Sequence, residues 1–185
     1  MFDEKQVVSR ILIGDFRAFE SLVKQYEHLV FFVINRLVRE KEDQEDICQE
    51  VFIKVHHSLP RFAFASRLST WIARIAYLTA INHIKKNNKH RNTDYPADLD
   101  QFHFTSENPE GLLTRKDLGQ YLEELISQMP EKYRITITLY HLNEFSCAEI
   151  ESITGIPETT IKTYLFRGRK LLKQKIEHHF KNQQL

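Results

Sequence analysis

Residues 146–157 read SCAEIESITGIP. Ser146 precedes Glu149 by three positions, which is the spacing of a capping box at the start of a helix. Gly155 stands just past the end of that short helix, where a left-handed residue is favoured, and Pro157 suits the first turn of another helix. The stretch therefore predicts a helix, a glycine-containing turn and a second helix, which is the helix-turn-helix arrangement.

The helix predicted after this turn has one apolar face and one polar face. Its apolar stripe is Ile161, Leu165, Gly168, Leu172 and Ile176, and Gly168 predicts a close approach to the preceding helix. Basic side chains can contact phosphates and guanine edges, threonine can bond to either, and phenylalanine can contact a thymine methyl group. A helix that enters the major groove needs this mixture in its N-terminal half. The candidate DNA-contacting residues are Thr160, Lys162, Thr163, Phe166, Arg167 and Lys170.

The rest of the chain also favours helix. It has only five glycines and five prolines, which leaves little material for tight hairpins. Apolar residues recurring at three- and four-residue steps predict helices over residues 15–38, 43–59, 69–84, 112–129 and 131–142. Asp43 is the predicted N-cap of the second of these, and Pro60 marks its end. We predict an all-α fold of two small helical domains, residues 1–92 and 112–185, joined by an acidic linker, residues 93–111, with the helix-turn-helix in the C-terminal domain.

Charge is distributed unevenly, although the net charge is only +1. Residues 51–93 carry eight bases and no acid, and residues 155–185 carry seven bases against two acids. Between them, residues 94–131 carry nine acids against two bases. Two basic blocks separated by an acidic one indicate two polyanion-binding surfaces. The alternative for each block is a solvated helix face, but the length of the acid-free block favours nucleic acid.

Other functional classes are disfavoured. No run of about 18 apolar residues is present and the first residues do not resemble a secretory signal, so we expect no membrane insertion. Cys48 and Cys147 cannot form a disulfide framework in a chain of this length, which favours a reducing compartment. The common nucleotide-binding, esterase and zinc-protease motifs are absent. The nine histidines leave a metalloenzyme as an alternative, but neither His56-His57 nor His178-His179 has a His or Cys partner four residues away.

Three segments together resemble bacterial sigma factors. Residues 46–54, DICQEVFIK, resemble the Asp-x-x-Gln-Glu-x-Phe signature with which these factors bind core RNA polymerase. Residues 70–76, TWIARIA, are similar to their promoter-melting and −10-reading helix. Their −35-reading domain is similar to Met129-Pro130-Glu131 together with residues 146–157 and 161–170. The order and spacing resemble the compact extracytoplasmic-function (ECF) group, which keeps only these two domains.

The resemblance implies that Asp46, Gln49, Glu50 and Phe52 grip the clamp coiled coil of the largest polymerase subunit. The residues themselves agree, because Asp46, Gln49, Glu50 and Ile53 lie off the apolar stripe of their helix and acids there suit a protein partner. Phe52 is adjacent to that stripe, so it is either a partner contact or a core residue.

The resemblance also implies a −10 site on the helix that contains Trp71. An aromatic ring can stack on an unpaired base, and arginine can bind a single-stranded backbone. A core position at the helix start is the alternative for Trp71. Leu78 stands where the family commonly has Asn, and Asn82 where it commonly has Asp, so no base preference is carried over. The candidate −10 residues are Arg67, Trp71, Arg74, Asn82 and Lys85.

The resemblance implies a non-enzymatic initiation factor that binds core RNA polymerase and directs it to promoters by reading −35 and −10 elements. Its implied partners are core polymerase, promoter DNA and an anti-sigma factor. The implied location is the cytoplasm, and we expect no cofactor. The alternative is a free-standing helix-turn-helix regulator, which would bind its DNA site without polymerase.

Overall fold

The computed structural model describes residues 3–88 and 115–182, and the elements in these two ranges are helical. The N-terminal domain contains α1 (Glu4–Leu12), α2 (Phe16–Asn35), α3 (Lys41–Ser58) and α4 (Leu68–Asn88). The C-terminal domain contains α5 (Arg115–Gln128), α6 (Glu131–Ile137), which continues as a π-helical turn (Thr138–Leu142), α7 (Cys147–Thr154) and α8 (Glu158–Asn182). The predicted all-α class with a C-terminal helix-turn-helix is confirmed. The predicted linker, residues 93–111, lies outside the described residues.

Helix α2 is the centre of the N-terminal domain. Asp15 caps it, because one carboxylate oxygen accepts the backbone N–H groups of Arg17 and Ala18 at 2.9 and 3.2 Å. One stripe of α2 is buried where it packs against α3 and α4, and it comprises Ala18, Leu22, Tyr26, Val30, Val33 and Ile34. The three- and four-residue periodicity of the sequence therefore identified the core face of this helix.

The start of α3 differs from the prediction. The sequence predicts Asp43 as the N-cap, but the helix begins at Lys41 with Glu40 in the cap position. The buried Gln44 side chain donates to the carbonyl oxygen of Val38 at 2.8 Å, which ties the first turn to the loop before it. Asp43 instead lies in the first turn, where a carboxylate favours the helix dipole, and its Oδ2 is 3.2 Å from His83 Nε2 on α4.

The C-terminal domain is built on the contact of α6 with α8. Residues 133–139 of α6 and its π turn are buried. A Cβ atom on Gly168 of α8 would lie 2.6 Å from Ile137 Cδ1 and 3.3 Å from Met129 Cε. The predicted close approach at Gly168 is therefore present, but it is to α6 and to the residue before Pro130, and not to α7, the helix that directly precedes α8.

The two domains pack against each other through α4 and α7. Thr70 Oγ1 donates to Glu149 Oε1 at 3.0 Å, and Arg74 donates to the backbone oxygen of Ser152. A second contact joins Arg36, at the end of α2, to Glu123 on α5. Within residues 3–88 and 115–182, no helix is long and apolar enough to cross a membrane.

Candidate nucleic-acid and protein interfaces

The helix-turn-helix forms with the cap and turn that the sequence predicts. Ser146 Oγ accepts the backbone N–H of Glu149 at 3.3 Å, and the Ser146 N–H donates to Glu149 Oε2 at 2.9 Å. Gly155 follows α7 with φ +75°, in the left-handed region that favours glycine. Thr154 Oγ1 then accepts the N–H of Ile156 at 3.2 Å. These local bonds fix the angle at which α8 leaves the turn.

Helix α8 presents the predicted DNA-contacting residues on its outer side. Its inner stripe is buried, with Ile161, Leu165 and Leu172 at 0%, 3% and 8% exposure. Among the candidates, Thr160 is half-buried, and the exposed ones are Lys162, Thr163, Phe166, Arg167 and Lys170. The Phe166 ring is 69% exposed and stands among the cationic side chains of this face.

Two of these residues already have partners within the helix. Lys162 Nζ lies 2.7 Å from Glu158 Oε1, and this bond holds the pKa of Lys162 above its usual value. Thr163 Oγ1 donates to the carbonyl oxygen of Thr159 at 3.0 Å, so the hydroxyl oxygen still has lone pairs to accept a bond. Arg169, by contrast, packs back onto the domain, where its guanidinium lies 5.0 Å from the Tyr140 ring centroid. Both arginines are exposed, but Arg169 is held against Tyr140 and His141, so Arg167 is the candidate arginine of the outer face.

Helix α3 displays the predicted acidic and polar face. Asp46, Gln49 and Glu50 are exposed, while Ile47, Val51 and Val55 on the opposite face are buried. Glu50 is also bridged to Lys54, with Nζ and Oε1 2.7 Å apart. Phe52 is half-buried and packs on the core, whereas its contact with a partner stays a prediction. Ile53, which the sequence also predicts to lie off the buried stripe, is 58% exposed on the same outer side.

The predicted −10 residues fall into two groups on α4 and its approach. Asn82 and Lys85 are exposed in the C-terminal half of α4, near the exposed Leu78. Arg67, Trp71 and Arg74 lie at the other end, and the two arginines contact α7: Arg67 NH1 is 3.6 Å from Glu149 Oε1, and Arg74 bonds to Ser152.

Trp71 belongs to a cluster of three aromatic rings. Its ring centroid lies 4.9 Å from that of Phe62, which in turn lies 4.6 Å from that of Phe64. Phe62 is buried, whereas Trp71 is half-buried and Phe64 is 40% exposed. Phe64 also has a positive φ of 54°, which is strained for an aromatic residue. The cluster is therefore partly core and partly open to a base that would stack on it.

The sequence did not identify Glu149 as an interdomain residue, because its partners in the N-terminal domain are 79 or more residues away in the chain. Burial alone would raise the pKa of this carboxyl. Bonds from the Ser146 N–H and hydroxyl and from Thr70, with the nearby Arg67 charge, outweigh burial and hold the pKa below its usual value. One carboxylate therefore joins the cap of the helix-turn-helix to the start of α4.

A metal centre has no support in this geometry. In the part of the chain that the structure describes, no group of three or more His, Cys, Asp or Glu side chains is placed to hold a metal ion. The pair His56 and His57 is exposed, and His56 instead contacts the Phe19 ring edge-on with a centroid distance of 4.9 Å.

Comparison with known families identifies both domains. Sigma-70 region 2 matches residues 22–90, and Sigma-70, region 4, matches residues 119–172. The chain belongs to the sigma-70 family. This sigma factor directs promoter-specific initiation by RNA polymerase, and it has core polymerase and promoter DNA as partners. Sigma factors are non-enzymatic subunits. The region 2 match disfavours the free-standing regulator.

Relatives of this sigma factor align over nearly its whole length. It is 30% identical to the RNA polymerase sigma-H factor of Pseudomonas aeruginosa, and the alignment covers 94% of both chains. It is 32% identical, again over 94% of both chains, to the ECF RNA polymerase sigma-E factor of Escherichia coli. These matches confirm the ECF-type resemblance.

Solved structures share the fold of this sigma factor. One is CnrH in complex with the cytosolic domain of CnrY, with a TM-score of 0.64, 16% identity, and coverage of 95% of this chain and 97% of that chain. Another is the sigma factor RpoE of Bartonella quintana in complex with the anti-sigma factor NepR, with a TM-score of 0.65, 19% identity, and coverage of 86% and 96%. At these identities the likeness concerns the fold.

Proposed function

We propose that this sigma factor divides its task among three surfaces: the outer side of α8 reads the −35 duplex, α4 with its approach captures the −10 element, and the outer side of α3 docks on core polymerase. The observation that carries the proposal is the outer face of α8, which places Arg167, Lys170 and the exposed Phe166 together at the exit of a capped helix-turn-helix. Major-groove recognition requires such cations beside an apolar contact.

The −35 assignment is tested by Arg167→Ala. An arginine that bonds to a guanine edge contributes about 1–3 kcal/mol of discrimination, so we expect roughly a 5- to 150-fold loss of −35-dependent transcription. Lys173→Ala is the matched control, since Lys173 is an exposed cation further along α8, with its side chain 74% exposed. Equal loss in the two variants, or an equal loss of core binding in Arg167→Ala, would contradict the assignment.

The polymerase-docking face of α3 is supported by its exposed acid and amide groups, which a basic partner surface complements. Replacing Asp46 and Gln49 by Ala should weaken binding to core polymerase and leave −35 recognition unchanged once the complex with polymerase is assembled at saturating protein. Glu20→Ala is the control, because Glu20 is an exposed acid of α2 whose side chain is 63% exposed. Unchanged affinity of the double variant for core enzyme rejects the docking face.

The −10 assignment has a structural consequence. Arg67 and Arg74 contact α7 in this arrangement, so their binding to DNA competes with the packing of α7 on α4. We infer that the domains separate when the protein engages a promoter, and that core polymerase supplies the differential binding energy for that change. Trp71, beside Phe62 and Phe64, then offers the stacking surface for an unpaired base.

Two further parts of the proposal rest on the family. We propose an anti-sigma factor as a regulatory partner, since a structural neighbour, RpoE of Bartonella quintana, is bound to one. We also place the protein in the cytoplasm, where polymerase works. Affinity purification of the tagged chain from its own cells identifies a bound anti-sigma factor, and fractionation of the same cells shows whether the chain is in the cytoplasm.

A further inference from the structure

The corner between α1 and α2 exposes large apolar side chains that none of the three proposed surfaces uses. Ile13 is 84% exposed, Phe16 is 83% exposed and Leu12 is 50% exposed. A single exposed apolar residue is ordinary, whereas several that adjoin one another mark an interaction site. We call Leu12, Ile13 and Phe16 the corner patch.

The corner patch is held in a fixed shape by its own backbone and by one ion pair. Gly14 turns the chain with φ +91°, and its N–H donates to the carbonyl oxygen of Ile11 at 2.9 Å. Arg10 NH2 lies 2.7 Å from Asp15 Oδ2, while the other oxygen of Asp15 caps α2. Because the corner is already ordered, a partner that binds it does not have to pay for ordering this loop.

The corner patch adjoins the outer side of α3. A small cleft is lined by Phe16, Phe19 and His56 among others. The Phe19 ring lies 4.9 Å from the His56 imidazole, which ties the start of α2 to the last turn of α3. His56 is three residues beyond Ile53, so on a helix the two side chains share a face. The cleft therefore places Phe16 of the corner patch next to the last turns of α3, where Ile53 is exposed beside the acid and amide groups.

Charge indicates what covers this surface. The α3 side carries the exposed acids Asp46 and Glu50, so a partner must bring basic groups there and apolar groups to the corner. In protein interfaces, charged rims steer association, whereas buried apolar anchors at the centre slow dissociation. The amphipathic character of the occupant fits a helical segment better than an extended polar one.

We propose that the corner patch and Ile53 extend the polymerase-docking face of α3 and bind a helical segment of core polymerase with both basic and apolar side chains. The proposal rests on the docking function proposed above. It assigns affinity to apolar residues outside the Asp-x-x-Gln-Glu-x-Phe signature, on an element that precedes it in sequence.

The test uses the full chain and purified core polymerase, with dissociation measured by biolayer interferometry. The variant is Ile13→Lys with Phe16→Gln, since both side chains are exposed and their replacement leaves the core intact. We expect the Kd for core polymerase to rise at least about tenfold, mostly through faster dissociation. Leu142→Gln is the control, because Leu142 is a 42% exposed apolar residue of the C-terminal domain, and its Kd should stay unchanged.

The outcomes separate this inference from the function on which it rests. If Asp46→Ala with Gln49→Ala weakens core binding and the corner variant does not, the corner proposal is wrong and the α3 docking face stands. If neither variant weakens binding, both are wrong. If the corner variant only turns a dimer of the free protein into a monomer in sedimentation, with core affinity unchanged, the patch serves a second copy of the chain and the proposal is overturned.

Discussion

Glu149 allows the contact between the two domains to be measured apart from the cap of the helix-turn-helix. Its side chain receives three bonds: from the Ser146 N–H and hydroxyl at 2.9 and 2.8 Å, and from Thr70 Oγ1 at 3.0 Å. Glu149→Ala removes all three. Glu149→Gln removes the charge and keeps one acceptor oxygen for the two Ser146 bonds, and its NH2 group can donate to Thr70 Oγ1, because a hydroxyl both donates and accepts. The two substitutions therefore have different expected costs.

The magnitudes follow from burial. Loss of a capping interaction costs about 1 kcal/mol. Thr70 is 2% exposed, so loss of its acceptor leaves a buried hydroxyl unpaired at a cost of about 1–3 kcal/mol. The Arg67 pair is worth less, about 0–1 kcal/mol, because the Arg67 side chain is 69% exposed. Glu149→Ala should thus lower the free energy of unfolding by about 2–5 kcal/mol, and Glu149→Gln by about 1 kcal/mol or less.

Urea unfolding followed by circular dichroism gives these differences, and Thr70→Val completes a double-mutant cycle. A coupling energy of about 1 kcal/mol between Thr70 and Glu149 is expected, since the two side chains bond directly. A coupling of zero, with Glu149→Ala no worse than a plain loss of the cap, would show that α7 does not pack on α4 in solution. Equal costs for Ala and Gln would refute the role of the hydrogen bonds.

The same carboxylate predicts a pH dependence. Its pKa is below the usual value of 4.5 in the folded protein, so its stabilising contribution is fully present above that value and is lost as the pH falls through the lowered pKa. The wild-type chain should therefore lose stability below about pH 4.5 more steeply than Glu149→Gln. Parallel curves for the two proteins would contradict this.

Three further predictions concern the fold around the site. Gly155→Ala should lower the free energy of unfolding by about 1–2 kcal/mol, since φ is +75° there. Gly119→Ala, inside α5, is the control and should be neutral or stabilising by up to about 1 kcal/mol. The midpoints of urea unfolding measure both effects. Gly168→Leu should lower stability by about 1–3 kcal/mol through overpacking against Ile137, and an unchanged melting temperature would contradict that contact. Burial raises the pKa of the Cys48 thiol, so its alkylation by iodoacetamide at neutral pH should be slower than that of free cysteine, which mass spectrometry measures.

Local signals in the sequence determined a large part of this structure. The capping box at Ser146, the left-handed Gly155 and the periodic stripes of α2 and α8 depend on residues within a few positions of one another. A capping hydrogen bond between residues three positions apart and an apolar stripe with helical period can both be predicted from the sequence alone. Exposure of the candidate residues on α8 and of Asp46 on α3 followed from the same periodicity.

Tertiary packing decided what no local pattern contains. Gly168 faces α6 and not α7, and Glu149 bonds to a threonine 79 residues earlier. Helix α3 begins earlier than predicted, and its first turn is held by the Gln44 side chain, which bonds to the preceding loop. Ile13 and Phe16 are large apolar residues, which are commonly buried, yet both are exposed to solvent at the turn formed by Gly14 and the Asp15 cap. Caps, turns and helical periodicity depend on residues a few positions apart, so the sequence predicts them. The helix that each buried face packs against depends on contacts between residues far apart in the chain, so only the tertiary structure shows it.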